Sequence, residues 1–246
     1  MERLDKILSK HGFGTRKDVK KLLHSGVVRV NGSVCTEADF HVDIDTDVIS
    51  VDDETLSIKR NVYLMMNKKT DVVCAAKDGL HATVFDCLDE EYRHTFLGGE
   101  LHLVGRLDID TEGLLLLTTD GALTHRLTSP KTHVSKTYLV TLLNPVPAAD
   151  KERYTCAIRS GIEIPPEGDE SGFVSLPADV TWVSDNECSL VIYEGKYHQV
   201  KRMFAALGNR VVALRRTAMG GLRLDESLAS GAYRELTAVE LTLLRC

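Results

Sequence analysis

The chain contains no apolar run approaching the roughly 20 residues that cross a membrane as a helix. Its opening Met-Glu-Arg-Leu-Asp-Lys does not read as a secretory signal. Six cysteines stand at positions 35, 74, 87, 156, 188 and 246 without one C-x-x-C pair. That spacing speaks against a zinc ribbon or a disulfide framework and for a reducing compartment. The nine histidines form no H-x-x-x-H or H-x-x-E-H pattern, so no metal site is expected. No glycine cluster matches a phosphate loop; Gly98-Gly99, Gly113 and Gly220-Gly221 read as turns. Internal repeats and low-complexity tracts are absent. These absences lead us to expect a cytoplasmic monomer with no membrane contact.

The 246 residues have room for one large domain, or for a small one beside a medium one. A hydrophobic content of 43% and a charged content of 27% are those of an ordinary folded protein. The net charge of -6 is misleading as an average. Residues 1–32 carry eight basic and three acidic side chains, and residues 194–216 carry six basic against one acidic. The acidic excess collects elsewhere, notably over Glu37 to Glu54. Fields decay over about 10 Å at moderate salt, so these local basic patches decide where a phosphate backbone lands.

Residues 1 to about 60 read as a separate module. Leu4, Ile7 and Leu8 fall at helical spacing, as do Val19, Leu22 and Leu23. Thr15 and Asp18 have the spacing of a capping box, and Gly26 suits a helix end. Val27 to Val30, Asn31-Gly32 and Ser33 to Cys35 predict a tight hairpin, and Asp47 to Val51 a third strand. Arg16 and Lys20 are four apart on the second helix, as are Lys17 and Lys21. Like charges at that spacing repel by a few tenths of a kcal/mol per pair. Either this is a solvated face or RNA phosphates neutralise it.

After the short junction Lys59-Arg60-Asn61, strands are expected at Val62 to Met66, Tyr138 to Leu142, Asp179 to Val183 and Glu187 to Tyr193. Val200, Met203, Phe204 and Leu207 form a helical stripe ending at Gly208. Pro145 to Lys151 begins a helix or loop, and Pro165 to Gly172 an exposed loop. The most informative segment is Gly105-Arg106-Leu107-Asp108-Ile109-Asp110-Thr111-Glu112-Gly113, which leads into Leu114 to Leu117. A carboxylate there is held between Leu101, Leu103 and Val104 on one side and a strand buried on both faces on the other. Such a carboxylate serves as nucleophile, base or metal ligand, or merely forms a turn.

Gly105-Arg106-Leu107-Asp108, Lys136-Thr137-Tyr138 and Glu194 to Met203 resemble, in this order, the signatures of the pseudouridine synthases. The N-terminal module resembles the S4 RNA-binding domain. Together these cover the whole chain. Gly105 to Thr111, His125 to Pro130 and Tyr197 to Ala206 are most similar to the branch that modifies a single uridine of 16S ribosomal RNA. The resemblance implies an α+β protein: an S4-like module over 1–60, then a mixed, mostly antiparallel synthase domain over 61–246.

Conversion of uridine to pseudouridine moves the ribose C1′ bond from uracil N1 to C5. It involves no redox change and transfers no group elsewhere, so no cofactor is expected. The resemblance makes Asp108 the nucleophile, with attack on ribose or on ring left open. Asp110 is its rival, two residues on. Lys201 occupies the position of a basic residue that keeps the aspartate ionised against burial. Tyr138 stacks on the uracil or assists proton removal. Arg106 holds the flipped nucleotide or fills its place, and Leu214 lines the pocket, with Val211 and Val212 as competitors. Arg16, Lys17, Lys20, Lys21 and Arg202 are the further RNA contacts expected. His198 touches RNA or the active-site loop, or is structural. The partner is 16S ribosomal RNA or an assembling small ribosomal subunit. The alternatives are a sibling enzyme acting on 23S ribosomal RNA and a non-catalytic S4-type assembly factor.

Overall fold

A computed structural model describes residues 1–56, 58–93 and 99–245. Gly98 of the expected Gly98-Gly99 turn and Cys246 lie outside them. The chain forms two compact units. One joins Met1–Tyr63 with Leu88–His102 and Thr118–Asp120, and the other holds Leu64–Cys87, Leu103–Leu117 and Gly121–Cys246.

In the first unit, helices α1 (Leu4–Lys10) and α2 (Arg16–His24) accompany a sheet of β1 (Val28–Val30), β2 (Ser33–Val34), β3 (Ile49–Val51) and β4 (Glu54–Thr55), in the order β2-β1-β3-β4. Leu4, Ile7, Leu8, Val19, Leu23, Val28 and Ile49 meet in one core, which explains the helical spacing in the first two segments. The capping box is present: Asp18 N–H donates to Thr15 Oγ1, and Thr15 N–H donates to Asp18 Oδ2 at 3.1 Å. Asn31 and Gly32 both have positive φ, the geometry of a type I′ hairpin turn. Strand β3 begins two residues later than the alternation suggests, because Asp47 is engaged elsewhere. Its carboxylate accepts from the Asn31 side chain at 2.9 Å and from Asp43 N–H at 2.8 Å. Val48 N–H in turn donates to Asn31 Oδ1.

The second unit is built on strands β5 (Tyr63–Lys68), β6 (Glu112–Thr118), β7 (Lys136–Leu142), β8 (Asp179–Trp182), β9 (Glu187–Ile192), β10 (Val211–Met219) and β11 (Tyr233–Glu235). Their order is β8-β9-β7-β10-β6-β5-β11. The pairs β8–β9, β9–β7, β7–β10 and β5–β11 are antiparallel, and β10–β6 is parallel. Helices α3 (Gly121–Thr128), α4 (Ala148–Ser160), α5 (Gln199–Ala206) and α6 (Ala238–Arg245) complete an α+β fold.

Strand β6 is the apolar run, and Leu114 to Leu117 are all at most 2% exposed. The lead-in is less regular than its apolar residues suggest: only His102–Leu103 is strand. Val104 N–H nevertheless donates to Leu116 O at 2.8 Å, so the segment still docks on β6. Helix α5 buries Val200, Met203 and Phe204 and ends before Gly208, whose φ of +82° suits a helix terminus.

Gly113 is where the sheet admits no side chain. In the parallel pairing it stands opposite Arg216 with φ +99°, and a Cβ there would lie 2.3 Å from Arg216 O. The next strand's backbone therefore fills the space a side chain needs. Gly113→Ala is expected to destabilise the protein by about 2 kcal/mol or more, since left-handed strain and a backbone clash combine. Urea denaturation checks this, and an unchanged midpoint would refute it.

Candidate active site

The loop from Gly105 to Thr111 is held from beneath by a buried cation. Lys68, at the end of β5, is fully buried. Its ammonium donates to Thr111 O at 2.9 Å, Asp108 O at 3.0 Å and Lys69 O at 3.0 Å, with Ile109 O at 3.4 Å. Burial pushes its pKa down, while Cys74 and nearby carboxylates oppose that shift. Asp71 N–H donates to Ile109 O, and Leu107 N–H to Cys74 Sγ. The loop's carbonyls thus point inward, where Lys68 neutralises them.

Its carboxylates meet Lys201 at the start of α5. Lys201 Nζ donates to Asp108 Oδ2 at 2.9 Å and to Asp110 Oδ1 at 2.5 Å. Burial disfavours the charge on Lys201, but the hydrogen bonds it donates to both carboxylates more than offset it, and its pKa rises. Burial likewise opposes ionisation of Asp110, and the Lys201 contact reverses the balance, so its carboxyl sits below the usual range. His198, in a left-handed conformation at the cap of α5, brings Nε2 to 3.8 Å from Asp108 Oδ1. The Tyr197 ring stacks on it at 3.7 Å. His198 therefore sits against the active-site loop.

Asp108 and Asp110 differ in what they face. Asp108 lines a pocket of about 210 Å³, whereas Asp110 is not among the lining residues and its side chain is 65% exposed. The pocket floor is one face of the sheet. Lys136 and Tyr138 alternate along β7, and Arg216 and Leu214 stand opposite Tyr138 and Val140 on β10. Arg106 is exposed and Tyr138 and Leu214 are buried; all three line the pocket. Val211 and Val212, the competitors for Leu214, do not.

Two groups of the expected set lie elsewhere. Arg16, Lys17, Lys20 and Lys21 are all exposed on α2, in the first unit. Arg202 departs from an RNA-facing placement. It is 6% exposed, and its Nη2 donates to Pro165 O at 2.8 Å and Ser171 O at 3.1 Å. Its guanidinium lies 5.0 Å from the Phe173 ring centroid, and Nε lies 3.6 Å from Glu167. It pins the 165–173 segment, leaving little to offer a phosphate. One step of helix rotation, about 100°, turns Lys201 to the loop and Arg202 away from it.

Sequence reasoning assigned no role to Lys68, Thr111, Lys136, Glu194 or Arg216, although all but Lys68 line the pocket. Lys136 and Glu194 stood inside the quoted motifs, which was the available signal. Arg216 stood in a run notable only for its basicity. Among the described residues, no group of His, Cys, Asp and Glu could hold a metal ion, and no helix is long and apolar enough to cross a membrane.

A family model described as RNA pseudouridylate synthase matches residues 62–206, and one described as S4 domain matches residues 2–49. The chain belongs to the RNA pseudouridine synthase family, in the form that carries an S4 domain ahead of the synthase domain. It is 44% identical to the uncharacterized RNA pseudouridine synthase YtzG of Bacillus subtilis, over 98% of each chain. It is 40% identical to ribosomal small subunit pseudouridine synthase A of Haemophilus influenzae, over 98% of this chain and 99% of that one. A crystal structure of a pseudouridylate synthase, 40% identical, superposes with a TM-score of 0.66 over 99% of this chain and all of the other.

Lys68→Met keeps the apolar stem and strips the loop carbonyls of their donor. Each carbonyl left dry and unpaired costs about 1–3 kcal/mol, so a total loss near ~3 kcal/mol is expected. Equilibrium denaturation measures it; a variant as stable as the parent would mean that Lys68 does not brace the loop.

Proposed function

We propose that this enzyme isomerises a specific uridine of 16S ribosomal RNA to pseudouridine, with Asp108 as nucleophile acting on a nucleotide flipped out of its stack. The observation that carries this reading is that Asp108 lines the pocket while held 2.9 Å from Lys201, whereas its rival Asp110 is not among the lining residues. A carboxylate can act as a covalent nucleophile, and the ammonium beside Asp108 fixes where its oxygen points. The small-subunit target is supported by the names of several relatives near 40% identity over nearly the full length. The substrate is the naked RNA or an assembling small subunit, met in the cytoplasm by a monomer.

Roles follow from what each side chain faces. Tyr138, on the strand face that lines the pocket, offers its ring to the uracil and its hydroxyl to the C5 proton. Leu214 closes the apolar side. Arg106, exposed at the rim, holds the extruded nucleotide or takes its place in the stack. The exposed cations of α2 supply sequence-independent attraction to phosphates, which gives their mutual repulsion a purpose. We take the boundary between the RNA-binding module and the catalytic domain to lie near residue 60.

Tritium release from small-subunit RNA labelled at uridine C5, as naked transcript and in assembling particles, tests the reaction. Asp108→Asn is expected to abolish release, and Asp110→Asn to leave a measurable rate. The reverse result would move the nucleophile to Asp110, and no release by the parent protein from either substrate would sink the reading. Lys201→Met should lower the rate more than about a hundredfold while costing only about 1 kcal/mol of stability, since a pair this exposed lies closer to the surface limit than to the buried one. Full turnover by the folded variant would remove Lys201 from the mechanism.

Association should also depend on salt. Single-stranded contacts give a log–log slope of about -0.7 per neutralised phosphate. Replacing Lys17, Lys20 and Lys21 together with Ala should flatten the slope by about 2 units if each meets a phosphate. An unchanged slope would make the basic face of α2 a solvated surface.

A further inference from the structure

We propose that Lys136 and Arg216 grip the carbonyl oxygens of the target uracil and take up the negative charge that reaches them when the base is detached. This inference rests on the reading of the pocket as the uridine site and names two groups that act on the base itself.

The sheet register places them. Lys136 and Tyr138 are two apart on β7 and share a face, and Arg216 is the direct partner of Tyr138 on β10. All three line the pocket with Asp108. Arg216 is only 2% exposed; its Nε donates to Leu114 O at 2.7 Å, and its Nη2 has no hydrogen-bond partner. A buried, charged donor left unpaired costs at least about 1–3 kcal/mol, a cost that a bound acceptor removes. The Lys136 ammonium donates once, to Val134 O at 3.0 Å, leaving two of its three donors for a ligand. Thr111 Oγ1, also lining the pocket and 1% exposed, is unpartnered too.

The neighbouring carboxylate relieves these cations only in part, through its field, because one of its oxygens is already engaged. Glu194 Oε1 accepts from Leu176 N–H at 2.7 Å and from Gln199 Nε2 at 2.8 Å. Burial first, then repulsion from Arg216, lowers the Lys136 pKa to about 8, with Glu194 opposing the shift. Two cations held close together in a half-closed pocket, each with donors to spare, form a site preorganised for a ligand that becomes negative.

Uracil is such a ligand. It presents O4 and O2 as acceptors on either side of the N3–H donor. As a carboxylate oxygen of Asp108 bonds to C1′, the C1′–N1 bond breaks and its electron pair leaves on N1. The resulting anion spreads its charge over N1, O2 and O4. After rotation of the base, C5 attacks C1′ and the carboxylate departs. The C5 proton then leaves, and N1 gains a proton, so no atom is gained or lost overall. If Asp108 instead adds to ring carbon C6, the C5–C6 π pair is pushed towards O4, and the same donors meet the charge. Cytosine would turn an amino group towards two cations at this edge, so the pair also favours uracil.

Lys136→Met, Lys136→Gln and Lys136→Arg form the test, since Arg216 is too deeply buried for its replacement to separate function from folding. The readouts are single-turnover tritium release from C5-labelled small-subunit RNA, RNA affinity by filter binding, and thermal melting to verify the fold. Removing the cation should slow release by at least about a hundredfold, the loss typical of one oxyanion donor. RNA affinity should change by less than about threefold, because the phosphate contacts lie elsewhere. Lys136→Arg should retain a tenth or so of the rate, since its charge remains.

The pH profile discriminates further. The titratable groups that line the pocket with Lys136 are Arg216 on β10, Tyr193, Glu194, Lys196 and His198 from the segment before α5, Arg106 and Asp108 on their loop and Tyr138 on its own strand. The parent rate should fall as pH rises past about 8, where Lys136 loses its proton. The Arg variant, whose charge persists beyond pH ~12, should lack that step. Release by folded Lys136→Met or Lys136→Gln within about threefold of the parent, or a loss of rate matched by an equal loss of RNA affinity, would overturn the proposal. No release by the parent protein would refute the proposed reaction instead.

Discussion

A single ammonium group joins two parts of the chain that lie far apart in sequence. Lys201, at the start of α5, donates to Asp108 across 93 residues and to Asp110 across 91. Neither side chain is deeply buried. The contact therefore contributes less to stability than to position: it sets one oxygen of Asp108 at the edge of a pocket, 2.9 Å from a cation. Lys68 performs the complementary task, drawing the loop's carbonyls inward so that its carboxylates can face outward. The loop is suspended between two cations, one beneath it and one in front, and the pocket takes its shape from that suspension.

The two units divide the electrostatic labour in different ways. On α2, four cations stand in solvent, where their mutual repulsion is screened and their attraction reaches outward. In the pocket, Lys136 and Arg216 share a poorer dielectric, where burial first and then repulsion from Arg216 lower the Lys136 pKa to about 8. The first arrangement suits recognition of a polyanion of any sequence. The second suits charge that appears at one point and only during reaction.

Much of this architecture was legible in the sequence, and the limits have physical reasons. The capping box at Thr15, the Asn31-Gly32 turn, the apolar β6 and the helical stripe of α5 are local patterns, set by residues within a few positions of one another. Asp108, Lys201, Tyr138, Arg106 and Leu214 were traceable because motifs carried them, and the fold brings all but Lys201 to one pocket, with Lys201 bonded to its rim. Lys68 and Arg216 were not legible. Each looks like a surface cation, and only strand pairings spanning dozens of residues reveal that each is buried. Arg202 misled for the opposite reason: it shares a basic stretch with Lys201 but points to the other side of its helix, into the 165–173 segment.

Gly113 closes a motif whose charged members face a pocket and a lysine, yet its own duty is to let a neighbouring backbone come within reach. A descendant of this enzyme that had lost the carboxylate of Asp108 would still have to keep that glycine in order to assemble its sheet. Persistence of the motif's last position is thus a record of architecture. Anyone sorting working members of the lineage from retired ones must look to the charged side chains instead.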